Sequence, residues 1–554
     1  YFFLLLFSIL LNFISYIIFI SFTQIFVPMS KQNKENIFFL IKSLSKSEKR
    51  QFKLFVGRVK SNKDSKFIKL FNLLDKSFKY NESEILKKNF VTKQQLSNLK
   101  AHLYNQILQS LRMNPMLQDN RMIIREQIDY ATVLYQKGLY KQSLKILDKA
   151  KNMSIDLDEK YSAFEIVEIE KLIESQYITR SMSNRADELI KHSKSLSAEN
   201  KLCSSLSNLS LKLYERLIKA GYAKSDEEFR EITKFFFERM PKVNYNKLGF
   251  REKLWFCKVN VWYSLLIQDF LSSYKFSRRW VDLFDSKTSM ISSHPVFYLK
   301  ANNFLMEALV LIKYPKKFKE VLVKFEELVN SHLFPKNDNI STLTFLYLTN
   351  NKLNLLFMEG KFQNGLKLVP KILSKINDLK KQIDPHHIML VYYKIACLYF
   401  GCDRYVDSIK YLNLIIQNKE LKMREDLLCF TRVLNLVAHY EAGFDYDIDK
   451  HIRDTYKFLL KMNDLHEVQK LMIKFVRNLG NIYPNELKEN FKSLHKELKP
   501  YENDPYERRA FLYLDILSWL ESKILNIPIS KIIQQKASKN LPLRKIPKES
   551  LLDI

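Results

Sequence analysis

Two glycines five residues apart offer the first chemical candidate. Gly360-Lys-Phe-Gln-Asn-Gly365 has the glycine interval of a phosphate-binding loop, where small residues let backbone amides approach an anion. The Lys and the Ser or Thr that must follow are missing, so no phosphate or Mg²⁺ chemistry is expected there. Asp445-Tyr-Asp447-Ile-Asp449 has the alternating acids of a calcium loop. Lys450 stands where that loop needs Gly, and Tyr456 where it needs a bidentate Glu. Acids favour helix amino termini, and an Asp-rich helix start is the better account.

His386 and His387 are adjacent, so on a helix they face different directions. Following Asp384-Pro385, they are expected in the first turn of a helix, with no Cys or carboxylate at metal-ligand spacing. The cysteines are Cys203, Cys257, Cys397, Cys402 and Cys429. Their number is odd and no CxxC occurs, which argues against a disulfide framework and for a reducing cytosol. Cys397 and Cys402 read as small packing residues at a hairpin turn. The expectation is a chain with no catalytic, cofactor or metal site, and not an enzyme.

Composition sets the kind of scaffold. The 554 residues include only 9 Gly and 14 Pro, while 46% are apolar. Strand-rich folds need Gly and Pro in their many tight turns, so long helices joined by short polar turns are expected. The formal charge is +30, which favours acidic partners such as nucleic acid, anionic membrane or acidic protein. Part of that excess is what Lys-rich, self-solvating helices bring in an AT-rich coding sequence.

Residues 1–27 carry no charge and are long enough to span a bilayer. Two readings stand: residues 1–28 are a transmembrane anchor, or an upstream translation ahead of a Met29-Ser30 start. As an inner-membrane anchor, the positive flank Lys31 and Lys34 would keep the remainder cytoplasmic. Either reading leaves the working part in the cytosol.

Residues 30–115 form a basic helical head. Between Ser30 and Arg112 there are 19 Lys and Arg against 6 Asp and Glu, a net of +13. Asn36–Leu44 reads as an apolar helix, and Ser45-Lys-Ser-Glu48 has capping-box spacing. Phe52, Leu54 and Phe55 then mark an apolar side, and Phe67, Leu70, Phe71 and Leu74 another at helical spacing. Asn81 and Ser83 are N-cap candidates for a short helix. Thr92-Lys-Gln-Gln95 is a second capping box with a Val91–Leu96 staple. It opens a stripe of Leu96, Leu99, Leu103, Ile107, Leu108 and Leu111. Such a bundle suggests a helix-turn-helix-like DNA binder, with Lys93, Gln94 and Lys100 suited to phosphates or base edges. A merely solvated basic face is the competing account.

Residues 120–500 contain self-similar stretches. Tyr130–Ala150, Leu353–Ile372 and Ile395–Ile416 align without gaps. Each frame opens on Ala131, Leu353 or Ala396, and a large residue follows at Leu134, Leu356 or Tyr399. The turn carries Gly138, Gly360 or Asp403. An aromatic comes two later (Tyr140, Phe362, Tyr405) and a small residue three after that (Ser143, Gly365, Ser408). At these positions the chain resembles the tetratricopeptide repeat family, and as a whole it resembles bacterial proteins that join a small basic head to such an array. The later frames lie 43 residues apart, longer than the family's ~34.

The resemblance implies an all-α, right-handed α-solenoid of degenerate helical hairpins, serving as a protein-interaction scaffold. A protein or peptide partner would lie in a concave groove lined by Thr132, Tyr135 and Gln136, then Asn350, Asn354 and Phe357, then Tyr393, Cys397 and Phe400. Further hairpins are expected to turn at Gln268-Asp269 and Gly443, with breaks at Pro241–Gly249, Ser286–Pro295, Phe334–Asn339 and Tyr483-Pro484. Residues 501–535 are expected to cap the array with one helix over Arg508–Leu525, followed by a loose basic tail over 536–554.

Overall fold

Scarce Gly and Pro leave few places where a helix must stop, and the described residues are helical almost throughout. The computed structural model describes residues 35–58, 66–114, 119–176, 184–332, 334–380, 382–418, 425–444, 448–461, 467–478, 486–507 and 515–538, together with Tyr483 and Phe511. The apolar segment 1–28, the Asp445–Asp447 acids and the tail beyond Ser538 lie outside these residues. Among the described residues there are 25 α-helices and no strand. None of these helices is long and apolar enough to cross a membrane. The chain divides into two compact units between Ile123 and Ile124.

The first unit contains α1 (Asn36–Ser43), α2 (Lys46–Arg58), α3 (Lys66–Lys76), α4 (Glu82–Lys87) and α5 (Lys93–Arg112). Local signals start these helices. The Glu48 amide donates to Ser45 Oγ at 3.2 Å and the Ser45 amide donates to Glu48 Oε2 at 2.7 Å, a closed capping box. Asn81 Oδ1 caps α4, accepting from the Ser83 and Glu84 amides. Thr92 Oγ1 accepts from Gln95, but Gln95 Oε1 accepts from Lys66 across the bundle. The core gathers Ile37, Ile41, Phe52, Val56, Leu70, Phe71, Leu96, Leu103 and Ile107. Two expected core positions are outside it: Leu54 and Leu108 are exposed. On α2 the buried pair is Phe52 and Val56, four apart, which turns Leu54 outward.

The second unit is a succession of helical hairpins. The clearest are α6 (Asn120–Gln136) with α7 (Tyr140–Asp156), α16 (Asp338–Met358) with α17 (Phe362–Leu379), and α18 (Pro385–Phe400) with α19 (Tyr405–Ile416). Their turn residues Gly138, Gly360 and Asp403 all sit in the left-handed region, at φ +73°, +63° and +59°. Each closes its helix with the same pair of backbone bonds, such as Gly138 N–H to Tyr135 C=O and Leu139 N–H to Leu134 C=O, both 2.9 Å. Further hairpins turn the same way, among them α11 (Phe250–Leu266) with α12 (Phe270–Ser286) at Gln268, α14 (Pro295–Leu311) with α15 (Pro315–Asn330) at Lys313, and α20 (Glu425–Glu441) with α21 (Ile448–Lys461) at Gly443.

Between these lie α8 (Lys160–Gln176), the long α9 (Arg185–Ala220), α10 (Asp226–Arg239) and the short α13 (Ser289–Ser293). After them come α22 (Glu467–Asn478) and α23 (Leu487–Leu498). First helices pack on first helices along the series α14, α16, α18, α20. Small residues set the spacing: Ser143 and Ala131 are both fully buried, and a Cβ on Gly365 would run into the Leu398 side chain.

The carboxy-terminal segment is not the simple end cap that the sequence suggested. The described residues here form two short helices, α24 (Ile516–Leu525) and α25 (Ile529–Ser538), so Lys536 is helical. The segment runs back over earlier hairpins. Glu502 pairs with Lys313 at 3.1 Å, and Tyr506 Oη donates to Asp226 Oδ1 at 2.6 Å. Gln534 Nε2 donates to the Gly360 carbonyl at 3.1 Å, and α25 packs on α16. Periodicity shows that a helix is amphipathic; it does not name the partner for its apolar face.

Candidate functional site: a stripe across four first helices

Helices α11, α14 and α16 carry partly exposed side chains three, four and seven residues apart, the spacing of one helix face, and α18 carries a pair three apart. On α11 these are Trp255, Lys258 and Trp262; on α14, Phe297, Lys300, Asn303, Phe304 and Glu307. Tyr347, Asn350 and Asn354 continue the face on α16, where Asn351 beside them is buried, and Lys394 and Cys397 do so on α18. Contacts between neighbouring helices join them. Trp255 meets Phe297 edge-on at 5.5 Å and Trp262 meets Phe304 at 5.1 Å. Asn351 Nδ2 donates to Asn303 Oδ1 at 2.9 Å. Lys394 Nζ donates to Asn354 Oδ1 and to the Asn350 carbonyl.

The electrostatics of the stripe are set by partial burial. Burial brings the Lys394 ammonium down to about 8, against the pull of Glu307. Lys258 is also lowered to about 8, first by burial and then by the charge of Lys300, whose own value burial lowers. Cys397 is pushed up to about 12 by burial, so it stays a thiol rather than a nucleophilic thiolate. All five cysteines are free. Among the described residues no group of His, Cys, Asp and Glu is arranged to hold a metal ion. His386 and His387 do sit in the first turn of α18, where Asp384 Oδ1 accepts from the His387 amide at 3.1 Å.

The residues expected from sequence fall into two groups. Asn350, Asn354 and Cys397 belong to the stripe. Tyr135, Phe357 and Phe400 share one frame position, and each packs on the aromatic beyond its own turn: Tyr140 at 5.8 Å, Phe362 at 6.0 Å and Tyr405 at 5.3 Å. That position plugs the hairpin, and Phe400, 3% exposed, is core rather than an open anchor. Tyr393 is likewise 3% exposed. On α6, Thr132 donates to the Ile128 carbonyl, Tyr135 Oη donates to Gln176 at 2.7 Å, and Gln136 is exposed.

Sequence reasoning passed over Trp255, Lys258, Trp262, Phe297, Lys300 and Phe304. Their hairpins turn on Gln268 and Lys313, so no Gly or Asp marks the frame. A signal was present: Lys258 stands between Cys257 and Val259, both fully buried, in the apolar run from Leu254 to Val259.

The head presents a second basic surface. Lys46, Lys49, Arg50 and Lys53 line a shallow depression along α2 with the exposed Leu54, Lys49 being held by Asp75 at 2.7 Å. Lys93 and Gln94 are exposed at the start of α5. Lys100 is not available in the way the sequence suggested. It is 8% exposed, its ammonium bonded to Tyr80 Oη and paired with Glu82 at 3.2 Å. The helical period places it one turn beyond Leu96, on the inward side of α5.

No protein-family model, curated protein or solved structure matches this chain.

Proposed function

We propose that the chain is a non-enzymatic helical scaffold that holds a protein or peptide partner. In this reading the hairpins stack as a right-handed solenoid of degenerate tetratricopeptide-like repeats, and the stripe on α11, α14, α16 and α18 lines its concave groove. The observation that carries it is the continuity of that stripe: aromatic, amide and ammonium side chains meet from helix to helix, and all of them but the buried Asn351 stay partly exposed. Side chains with a rigid apolar body and a polar tip are those enriched where proteins bind one another. The free cysteines fit a reducing compartment such as the cytosol.

The test is a photo-cross-linking amino acid placed at Asn354 in the native host, with a second at Lys316, which is exposed away from the stripe. A discrete protein adduct at Asn354 and not at Lys316 is expected. Equal labelling, or none, overturns the reading.

A second reading makes the head a DNA-binding element and the array its partner-sensing arm. The exposed Lys93 and Gln94 at the start of α5, with Lys46, Arg50 and Lys53 on α2, favour it. A salt titration of duplex binding by residues 29–554 tests it: a steep log–log slope is expected if phosphates are contacted, and no binding at physiological ionic strength sinks it.

A further inference from the structure

Several half-buried cations elsewhere in the second unit are matched with acids. Lys151 meets Glu170 at 2.8 Å. Lys160 meets Glu199 at 2.6 Å and Glu252 at 2.7 Å. Arg251 meets Glu159 at 3.3 Å. Even Lys394, which lacks an acid at ion-pair distance, has two amide oxygens. Such pairing is what physics demands, because an ammonium partly stripped of water needs an opposite charge or strong acceptors.

Lys258 and Lys300 break the pattern. Among the described residues no carboxylate lies within ion-pair distance of either. The Lys258 ammonium stands over the Trp255 ring at 4.5 Å and the Phe297 ring at 5.8 Å. Phe297 lies three residues before Lys300 on α14, so the two ammonium groups share an aromatic setting; burial lowers the proton affinity of both, and the charge of Lys300 lowers that of Lys258 further. An anion placed between them would relieve both effects.

We propose that Lys258 and Lys300 bind a side-chain carboxylate of an acidic peptide segment, whose neighbouring apolar side chain rests on Trp255, Phe297 and Trp262. This rests on the scaffold reading and names its partner's chemistry. A peptide suits the stripe better than nucleic acid. Beyond the two lysines the stripe turns to amides at Asn303, Asn350 and Asn354, which match peptide N–H and C=O groups, and it carries Glu307. A nucleic acid brings a phosphate with every nucleotide and would set one against Glu307.

The probe is an acetylated, amidated peptide of alternating Glu and Leu, compared with its Gln–Leu counterpart and with oligo-dT of equal charge. Trp255 and Trp262 are two of the four tryptophans, so intrinsic emission reports binding at the site. The Glu–Leu peptide is expected to bind and shift the emission. Lys258→Gln/Lys300→Gln should cut its affinity by about tenfold or more, without lowering the unfolding temperature. Lys316→Gln/Lys319→Gln removes the same charge from an exposed surface and should change affinity by less than about twofold. Equal losses in the two double variants, equal binding of the Gln–Leu peptide, tighter binding of oligo-dT, or no binding of the Glu–Leu peptide each overturn the proposal. Repeating the Asn354 cross-link in the Lys258→Gln/Lys300→Gln background separates the two claims. A persisting adduct keeps the scaffold and removes the lysine pair; absence of any adduct in the unsubstituted chain removes the scaffold itself.

Discussion

Ser143 donates its hydroxyl to the backbone carbonyl of Ala131, 2.7 Å away across the first hairpin, and both residues are fully buried. The bond requires two helix backbones in near contact, which only small side chains permit. Gly365 does the same work between α17 and α18, where Leu398 fills the place of its missing Cβ.

Enlarging these positions should therefore cost stability through overpacking. Gly365→Ala is expected to lose about 1–3 kcal/mol, and Ser143→Leu at least as much, because a buried hydrogen bond goes too. Denaturant unfolding measures both. A Gly365→Ala protein as stable as the parent would mean that Leu398 has a free alternative rotamer.

Gly138, at φ +73° with open space around its Cβ position, isolates the cost of the turn itself. Gly138→Ala should destabilise by about 1 kcal/mol through backbone strain alone. The same unfolding experiment reads it, and an unchanged midpoint would remove the turn from the account of the frame.

Lys394 gives a pH signature. Its value in the folded chain is about 8, below the ordinary 10.5. Below pH 8 both folded and unfolded states are protonated and the full penalty of burying the charge is present. Between 8 and 10.5 the unfolded state binds more protons, so this contribution to stability rises with pH. Glu307, on α14, and Cys397, one turn along α18, oppose the shift without cancelling it. The stability of Lys394→Met relative to the parent should accordingly fall by about 3 kcal/mol across that window, read by urea unfolding at pH 7.5 and 10.5. A constant difference would show that Lys394 keeps its hydration.

The head predicts a contrast between two lysines on one helix. Lys93→Ala should weaken any duplex binding and reduce the salt slope by about 1. Lys100→Met should lower the unfolding temperature, because Glu82 and Tyr80 lose their inward cation, and leave the salt slope unchanged. Fluorescence anisotropy over a salt series, with thermal unfolding alongside, separates them. A salt slope that responds to Lys100 and not to Lys93 would reverse the assignment of inner and outer faces.

The carboxy-terminal return predicts long-range coupling. Trp519 is almost fully buried, and its Nε1 donates to Glu441 at 2.6 Å. Trp519→Ala should cost about 3–5 kcal/mol. It should also raise hydrogen exchange around Gly360, where α25 holds the turn through Gln534. Exchange confined to α24 and α25 would show that the return adds nothing to the hairpins it crosses.

Much was already written in the sequence because its causes are local. The scarcity of Gly and Pro dictated helices, Ser45 and Glu48 closed the box their spacing required, and Gly138, Gly360 and Asp403 adopted one left-handed turn. Capping and turn geometry involve residues at most five apart, so a sequence displays them directly. Which face of a helix meets which neighbour is not local. Frame position alone did not show that Phe400 plugs its own hairpin, or that Lys100 turns inward to Glu82. Nor does any spacing bring Gln534 to Gly360 across 174 residues, or set the Lys258 ammonium over Phe297 of another helix. Those outcomes belong to tertiary packing, because burial and charge compensation are settled by what arrives from elsewhere in the chain.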